Sequence, residues 1–427
     1  MKRLLLPLLA LASTPALAQT IAITGGKVVI GDGSAPIDSG TVVVSNGRIV
    51  AAGSNVAIPS GAQRIDATGK WVTPGIVAGF SRIGLAGVDA VDESNDTSAK
   101  SSPFSAALDI ALAVSPDVEA ISVNRAAGVT RAVVSPDTSN AIFAGQGAVI
   151  DTGADPSPIT RAKAFQFVEF GESGARRAGG SRPALFATFR NALAEARDYQ
   201  AGHLREDSLL KRADAAALVP VVTGAQKLVV HAESAADILA VLSLKRDYPA
   251  LALVLVGVTE GWRVAPQIAT SGVPVIASAV NDLPAAFDQI AATQSNVGRM
   301  KAAGVTVAIG MIDDDDTRQA MHGTQYAGNL VALTRVPGAT GLDWNDAFAA
   351  ITSKPAQVIG MGNEIGSLQP GRHGDVVIWD GDPLEVTSGV DAVWIDGVRQ
   401  SLETRQTRLR ARYAHPQEGN LPKAYDR

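Results

Sequence analysis

Trp71–Leu85, reading WVTPGIVAGFSRIGL, is the stretch on which the fold turns. Apolar and β-branched residues run into Pro74-Gly75, resume through Ile76-Val77-Ala78 and open into a loop carrying Gly79 and Gly84. A continuous apolar run bounded by turn residues is the pattern of a strand buried on both faces. The stretch therefore predicts a buried strand that delivers a loop to one end of a barrel. Upstream, residues 21–72 read as short strands. Ile21–Ile30 is apolar and β-branched, and Thr41–Ser45 and Arg48–Ala52 flank Asn46-Gly47. Asn-Gly between two such runs predicts a type I′ hairpin, because both turn positions need positive φ.

Downstream the pattern alternates. Strands are expected at Gly128–Val134, Lys227–Val230, Leu251–Val256, Val273–Ala277 and Val305–Ile309. Helices are expected at Val118–Ala127, Arg190–Tyr199, Ala235–Leu244, Glu260–Thr270 and Asp343–Ile351, the last ended by Lys354-Pro355. Strand, helix, strand at this spacing argues for βαβ units around a parallel sheet. Carried around a ring, that is an α/β fold of the (β/α)8 TIM-barrel type, with its chemistry at the C-terminal strand ends. An open doubly wound sheet is the alternative, and no Gly-rich dinucleotide fingerprint follows an early strand to support it.

Near the other end of the chain, IGSLQPGRHGDVVIWDGDPLE (Ile365–Glu385) and the strand Val390–Ile395 are again turn-bounded β-structure. This phrase resembles the closing segment of the imidazolonepropionase-like amidohydrolases. Pro74-Gly75-Ile76-Val77 resembles the first barrel strand of the amidohydrolase superfamily, and VVSPDTSNAIFAGQGAVI (Val133–Ile150) resembles a further phrase of the same subgroup. The resemblance runs from about Ile21 to about Gly397. It implies a composite β-domain from residues 19–72 and 365–400, a barrel from residues 73–364, and a polar tail at 401–427. It implies metal-assisted hydrolysis of a carbon–nitrogen bond other than an ordinary peptide bond, in a small cyclic amide or dipeptide-like substrate. In such chemistry a divalent cation of zinc type activates water and an aspartate moves the proton.

The positions that the family uses for this are altered. Its aspartate in the first strand falls on Ala78, and its two histidines fall on Phe80 and Arg82. Phe80 cannot ligate a metal, and Arg82 is a permanent cation suited to a carboxylate or phosphate. No lysine stands in register in Phe165–Phe170, where Glu169 or Glu172 could substitute. His231 survives in VVHAES as a candidate metal ligand, with Glu233 where relatives carry another histidine. The sixth-strand histidine falls on Gly257, with Glu260 nearby. The eighth-strand aspartate falls on Ile312, unless a one-residue bulge brings Asp313 inward as the catalytic carboxylate. Residues 313–316 are four consecutive aspartates, either a hard-cation attractor or a solvated loop. His203 and His415 read as surface residues, His373 as part of a β-domain turn, and His322 as nearer the barrel mouth.

Two functions follow from these residues. One is an enzyme with an unusual site of His231, Glu233, Glu260 and Asp313. The other is a non-catalytic barrel that binds a small molecule through Arg82, Glu233 and Glu260, as a homo-oligomer or paired with an active amidohydrolase. Loss of donors at Phe80, Arg82, Gly257 and Ile312 favours the second, and no cofactor is expected unless the degraded site is rebuilt around a metal. There is no Gly-x-Ser-x-Gly elbow, and with Cys 0 there is neither thiol nucleophile nor disulfide. Residues 1–18 carry the signature of a secretory signal peptide: Lys2 and Arg3, an apolar run at Leu4–Ala12, and Ala16-Leu17-Ala18. The apolar run is too short for a permanent span. A periplasmic or secreted mature protein is expected. The formal charge of −5 becomes more negative without Lys2 and Arg3, which argues against a nucleic-acid partner.

Overall fold

The apolar stretch around Pro74-Gly75 is two strands rather than the single one expected. Trp71–Pro74 belongs to one sheet and Ile76–Ser81 to another. Gly75 is the joint between them, and its fit leaves no room for a side chain. A Cβ there would stand 2.6 Å from the Cβ of Thr130, and the Gly75 amide donates to the carbonyl of Asp375 at 3.2 Å. The computed structural model describes residues 20–88, 91–203, 206–312 and 317–414. Residues 1–18, the aspartates 313–316 and His415 lie outside the described residues.

The first sheet takes strands from both ends of the chain. β1 (Ile21–Val28), β2 (Ile37–Ser45), β3 (Arg48–Gly53), β4 (Gln63–Asp66) and β5 (Trp71–Pro74) come before the barrel. β2 and β3 pair through the Asn46-Gly47 turn, whose φ values of 50° and 72° are those a type I′ hairpin requires.

The second sheet is an eight-stranded barrel wall: β6 (Ile76–Ser81), β7 (Val129–Val134), β8 (Phe143–Asp151), β9 (Ile159–Glu169), β10 (Lys227–Ala232), β11 (Ala252–Gly257), β12 (Val275–Ala277) and β13 (Val307–Ile309). It is nearly closed. Met311, just past β13, donates its amide to the Phe80 carbonyl on β6 at 2.9 Å. At the other end of the seam, Ala350 and Ile351 accept from Ile309 and Val77, both at 2.9 Å. β8 runs antiparallel to both of its neighbours. The short links before and after it explain this, since a parallel crossover needs a dozen residues or more. Seven strands therefore point one way and one points back.

The helices are α1 (Glu119–Ala126), α2 (Gly171–Arg177), α3 (Arg182–Gln200), α4 (Arg212–Val222), α5 (Ala235–Asp247), α6 (Ala265–Ser271), α7 (Asn296–Ala302), α8 (Gly323–Ala332), α9 (Trp344–Ala349) and α10 (Ser353–Val358). Lys354-Pro355 lies in the first turn of α10, where proline is tolerated, and so separates no helix from a loop. The expected helix at Glu260–Thr270 divides into a 3-10 turn at Gly261–Val264 and α6, closed by left-handed Gly272. After the barrel come β14 (Val376–Trp379), β15 (Val390–Ile395), β16 (Val398–Arg399) and α11 (Arg405–Tyr413). β14 lies antiparallel to β5, so the two chain ends build one sheet. No helix among the described residues is long and apolar enough to cross a membrane.

Alternate residues of the barrel strands fill its lumen, including Val77, Phe80, Phe167, Val229, Val254 and Ile276. At the N-terminal ends of the parallel strands the barrel is tied to the composite sheet by Arg131. Its guanidinium, 1% exposed, bonds both carboxylate oxygens of Asp375 at 2.7 and 2.9 Å. It also reaches Asp396 at 2.8 Å and Thr160 at 2.8 Å. His373 bonds Asp396 in the same cluster, so the histidine read as a turn residue is an ionic partner as well.

Candidate functional site

The C-terminal strand ends carry the second polar cluster. Lumen-facing residues recur at every second position, so Phe167 predicts Glu169 on the same face of β9, and Val229 predicts His231 on that of β10. The register places His231 directly opposite Glu169. His231 Nδ1 and Glu169 Oε1 are 2.8 Å apart, and His231 Nε2 and Glu233 Oε1 are also 2.8 Å apart. Glu233 Oε2 accepts the Thr259 amide at 2.8 Å. Burial opposes a charged imidazole, but the two carboxylates outweigh it and push the His231 pKa well above its ordinary value. Burial likewise opposes the Glu233 carboxylate, and its bonds to His231 and Thr259 nonetheless hold its pKa low. The stable form is an imidazolium clamped between two carboxylates.

Above this clamp is a cavity of about 250 Å³, lined by Phe80, Arg82, Asp137, Phe167, Arg177 and Ile312 among others. Arg82 Nη2 pairs with Asp137 Oδ1 at 3.1 Å. Phe80 leans on Phe167 with ring centroids 5.5 Å apart. Phe80, Arg82 and Ile312, three of the positions onto which the sequence resemblance puts family ligands, line this one cavity. The fourth, Gly257, stands at the end of β11 with φ 88°. A Cβ on Gly257 would lie 2.7 Å from Glu233 Cδ and 2.8 Å from His231 Cδ2. The space that a sixth-strand side chain would use is filled by the clamp itself.

Glu260, expected with the ligand-binding residues, is not brought into the cavity. Its carboxylate accepts from the amides of Ala235 at 3.1 Å and Ala291 at 3.0 Å, and pairs with Arg263 at 3.1 Å. Those bonds anchor loops. Asp313 lies outside the described residues, so only its neighbour Ile312 is placed at the mouth. His203 is exposed, and His322 stacks obliquely near Tyr326 at 6.2 Å. Two charged cavity residues went unread in the sequence: Asp137, which partners Arg82, and Arg177, from α2. Glu169 was read only as a substitute for a missing lysine; the lumen parity of Phe165 and Phe167 is the signal that points it inward.

Residues 261–399 match the family model described as the amidohydrolase family. The chain is 24% identical over 396 residues to amidohydrolase tasK of Hapsidospora irregularis, covering 80% of this chain and 38% of that protein. It is 32% identical over 106 residues to the imidazolonepropionase of Maricaulis maris, covering 24% of this chain and 25% of that protein. The chain thus spans well under two thirds of the length of these curated relatives. An amidohydrolase structure from Thermotoga maritima superposes with a TM-score of 0.78 at 24% identity, over 89% of this chain and 99% of its own.

The chain thus shares the fold of an amidohydrolase, and its residues 261–399 resemble the amidohydrolase family.

A divalent metal in an amidohydrolase needs three or more nitrogen or oxygen donors converging on one point. The donors among the described residues do not fit one. Both nitrogens of His231 face carboxylates, on opposite edges of the ring. Arg82 adds positive charge at the mouth, and no group of three or more His, Cys, Asp or Glu among the described residues is arranged to hold a metal ion. What this site can do by itself is present hydrogen-bond donors from Arg82 and Arg177, carboxylate oxygens from Glu169 and Asp137, and apolar walls to a small molecule.

Proposed function

We propose that the protein is an exported amidohydrolase-fold binder of a small molecule, in which a salt-bridged histidine has replaced the metal centre and hydrolysis is weak or lost. The observation that carries the reading is the space over Gly257. Glu233 and His231 occupy it, so the clamp is built where a metal-site side chain would otherwise project. The imidazolium supplies the positive charge that keeps two carboxylates together at the strand ends. The cavity above it then holds a ligand by complementary polar contacts, with Phe80, Phe167 and Ile312 excluding water.

Metal analysis of the mature protein, purified without chelator and again after zinc addition, tests this. Substoichiometric metal is expected, unchanged in His231→Ala. A stoichiometric transition metal that disappears in His231→Ala overturns the reading.

The retained cavity and the family match favour a second reading, residual hydrolysis of a non-peptide or dipeptide-like carbon–nitrogen bond with Asp313 as the acid–base group. Turnover abolished by Asp313→Asn would establish it. Pairing with an active amidohydrolase is part of the binding proposal; recovery of the protein from its native host with no such partner would remove that element. Export rests on residues 1–18, and an intact amino terminus at Met1 in the mature protein would refute it.

A further inference from the structure

A second cavity, of about 280 Å³, lies outside the barrel wall beside the mouth. Ile142, Phe143, Ala178, Ala192, Leu209 and Leu210 supply its apolar lining. Arg177 is its one charged lining residue among the described residues. This arginine, at the end of α2, is held by neutral groups. Nε donates to the Ser139 carbonyl at 3.1 Å, Nη1 to the Ser173 carbonyl at 3.1 Å and to Ser173 Oγ, and Nη2 to the Thr138 carbonyl at 3.2 Å. A guanidinium has five N–H donors. The remaining one, on Nη2, has no protein acceptor among the described residues, and no carboxylate there forms an ion pair with the group.

The rim of this cavity is fixed in advance. Glu195, 8% exposed on α3, accepts the amides of Leu209 at 2.8 Å and Leu210 at 2.7 Å. Leu209 is thereby held with its side chain 79% exposed over the opening. An exposed large apolar residue pinned by a buried carboxylate, above an apolar recess, lacks a hydrophobic cover. A cation met only by carbonyls and one hydroxyl lacks an anion.

We propose that this cavity binds a small apolar monocarboxylate, with its carboxylate on Arg177 and its hydrocarbon against Phe143, Ala192 and Leu209. One ligand satisfies both deficits. The carboxylate forms a charge-assisted hydrogen bond with the remaining N–H, and the tail removes apolar surface from water. The volume is slightly below the roughly 300 Å³ at which sites for drug-sized ligands begin, so the occupant is small. Arg177 lines both this cavity and the one over His231, and the apolar walls named here belong to this one alone, so octanoate binding tests it without reference to the function proposed above.

Octanoate is the probe, with octanol and octylamine as isosteric controls, read by isothermal titration calorimetry on the mature protein. Saturable octanoate binding is expected, with octanol and octylamine about tenfold to a hundredfold weaker, the range for one hydrogen bond to a charged group. Arg177→Met abolishes the preference for octanoate, whereas Arg177→Lys retains part of it. Leu209→Ala, at an exposed position that folding does not need, weakens octanoate without changing the order of the three probes. His231→Ala leaves octanoate binding as it was. Absence of saturable binding, equal affinity for octanol, or an unchanged preference in a folded Arg177→Met protein overturns the proposal. Loss of octanoate binding in His231→Ala would place the ligand in the other cavity and overturn it as well.

Discussion

The barrel carries an ionic cluster at each end, and the two are built for different purposes. At the N-terminal strand ends, Arg131 is 1% exposed and meets Asp375 and Asp396, residues on the far side of a domain contact. At the C-terminal ends, the His231 side chain is 23% exposed beneath a cavity, between Glu169 and Glu233 from its own and the adjoining strand region. The first cluster holds two sheets together around a guanidinium withdrawn from solvent, with Asp396 at its outer edge. The second lines a cavity, so a molecule that enters can reach its polar atoms. Burial without access marks structure, and partial burial beside a cavity marks a place where chemistry or recognition can occur.

Four substitutions sharpen or break this contrast. Arg131→Ala strands Asp375 as a buried carboxylate and should lower unfolding free energy by about 3–5 kcal/mol in urea denaturation. A loss under about 1 kcal/mol would mean that the clamp contributes nothing particular to joining the sheets. Asp151, 6% exposed beside Arg131, comes next. Burial pushes its pKa up, against the opposing charge of Arg131, from 3.8 to about 6. The folded protein holds this proton more tightly than the unfolded chain. Its contribution to stability is therefore greatest below about pH 4 and is lost as pH rises through 6, by roughly 3 kcal/mol in total. Asp151→Asn should remove that decline from a pH series of melts; an identical pH slope in the variant would disprove the assignment.

At the other end, Glu233→Gln removes one charged partner of His231 and should cost about 1.5–3 kcal/mol. Because the folded pKa of His231 is raised, the clamp's stabilisation is complete below the ordinary histidine value. It fades only as pH climbs through the raised one. Nitrogen-15 NMR should show the wild-type ring still protonated above the ordinary histidine value, and Glu233→Gln should bring its titration down. A wild-type midpoint at or under 6.5 would dissolve the clamp. The smallest effect is expected at Lys70–Asp391, a 2.6 Å pair with side chains 42% and 37% exposed. Lys70→Ala should shift stability by less than about 1 kcal/mol, because water screens both charges.

Local chemistry made much of the fold legible. Asn46-Gly47 specified its hairpin, and the apolar periods located most barrel strands. The phrase around Gly374 implied that the two ends share a sheet. What escaped was set by distance along the chain. The reversed β8 depends on how short its connections are, and an apolar strand reads the same in either direction. Arg131 finds partners hundreds of residues later, and nothing near Arg131 names them. At the site, Phe80, Arg82, His231 and Ile312 could be placed by resemblance. The filling of the space at Gly257 could not, because it depends on where the Glu233 side chain turns. Arg177 was invisible for a related reason. Its partners are main-chain carbonyls, which every sequence possesses, and the hydroxyl of nearby Ser173.

The seam between Trp71–Pro74 and Val376–Trp379 carries a consequence for how the chain matures. Thr73 Oγ1 accepts from the Trp379 indole across 306 residues, in the middle of one sheet. The early strands consequently wait through the making of the whole barrel before their neighbour emerges, with an open edge in the interval. A chain halted before Val376 would keep its barrel strands but leave that edge bare, so premature termination should yield aggregates rather than a shortened working protein.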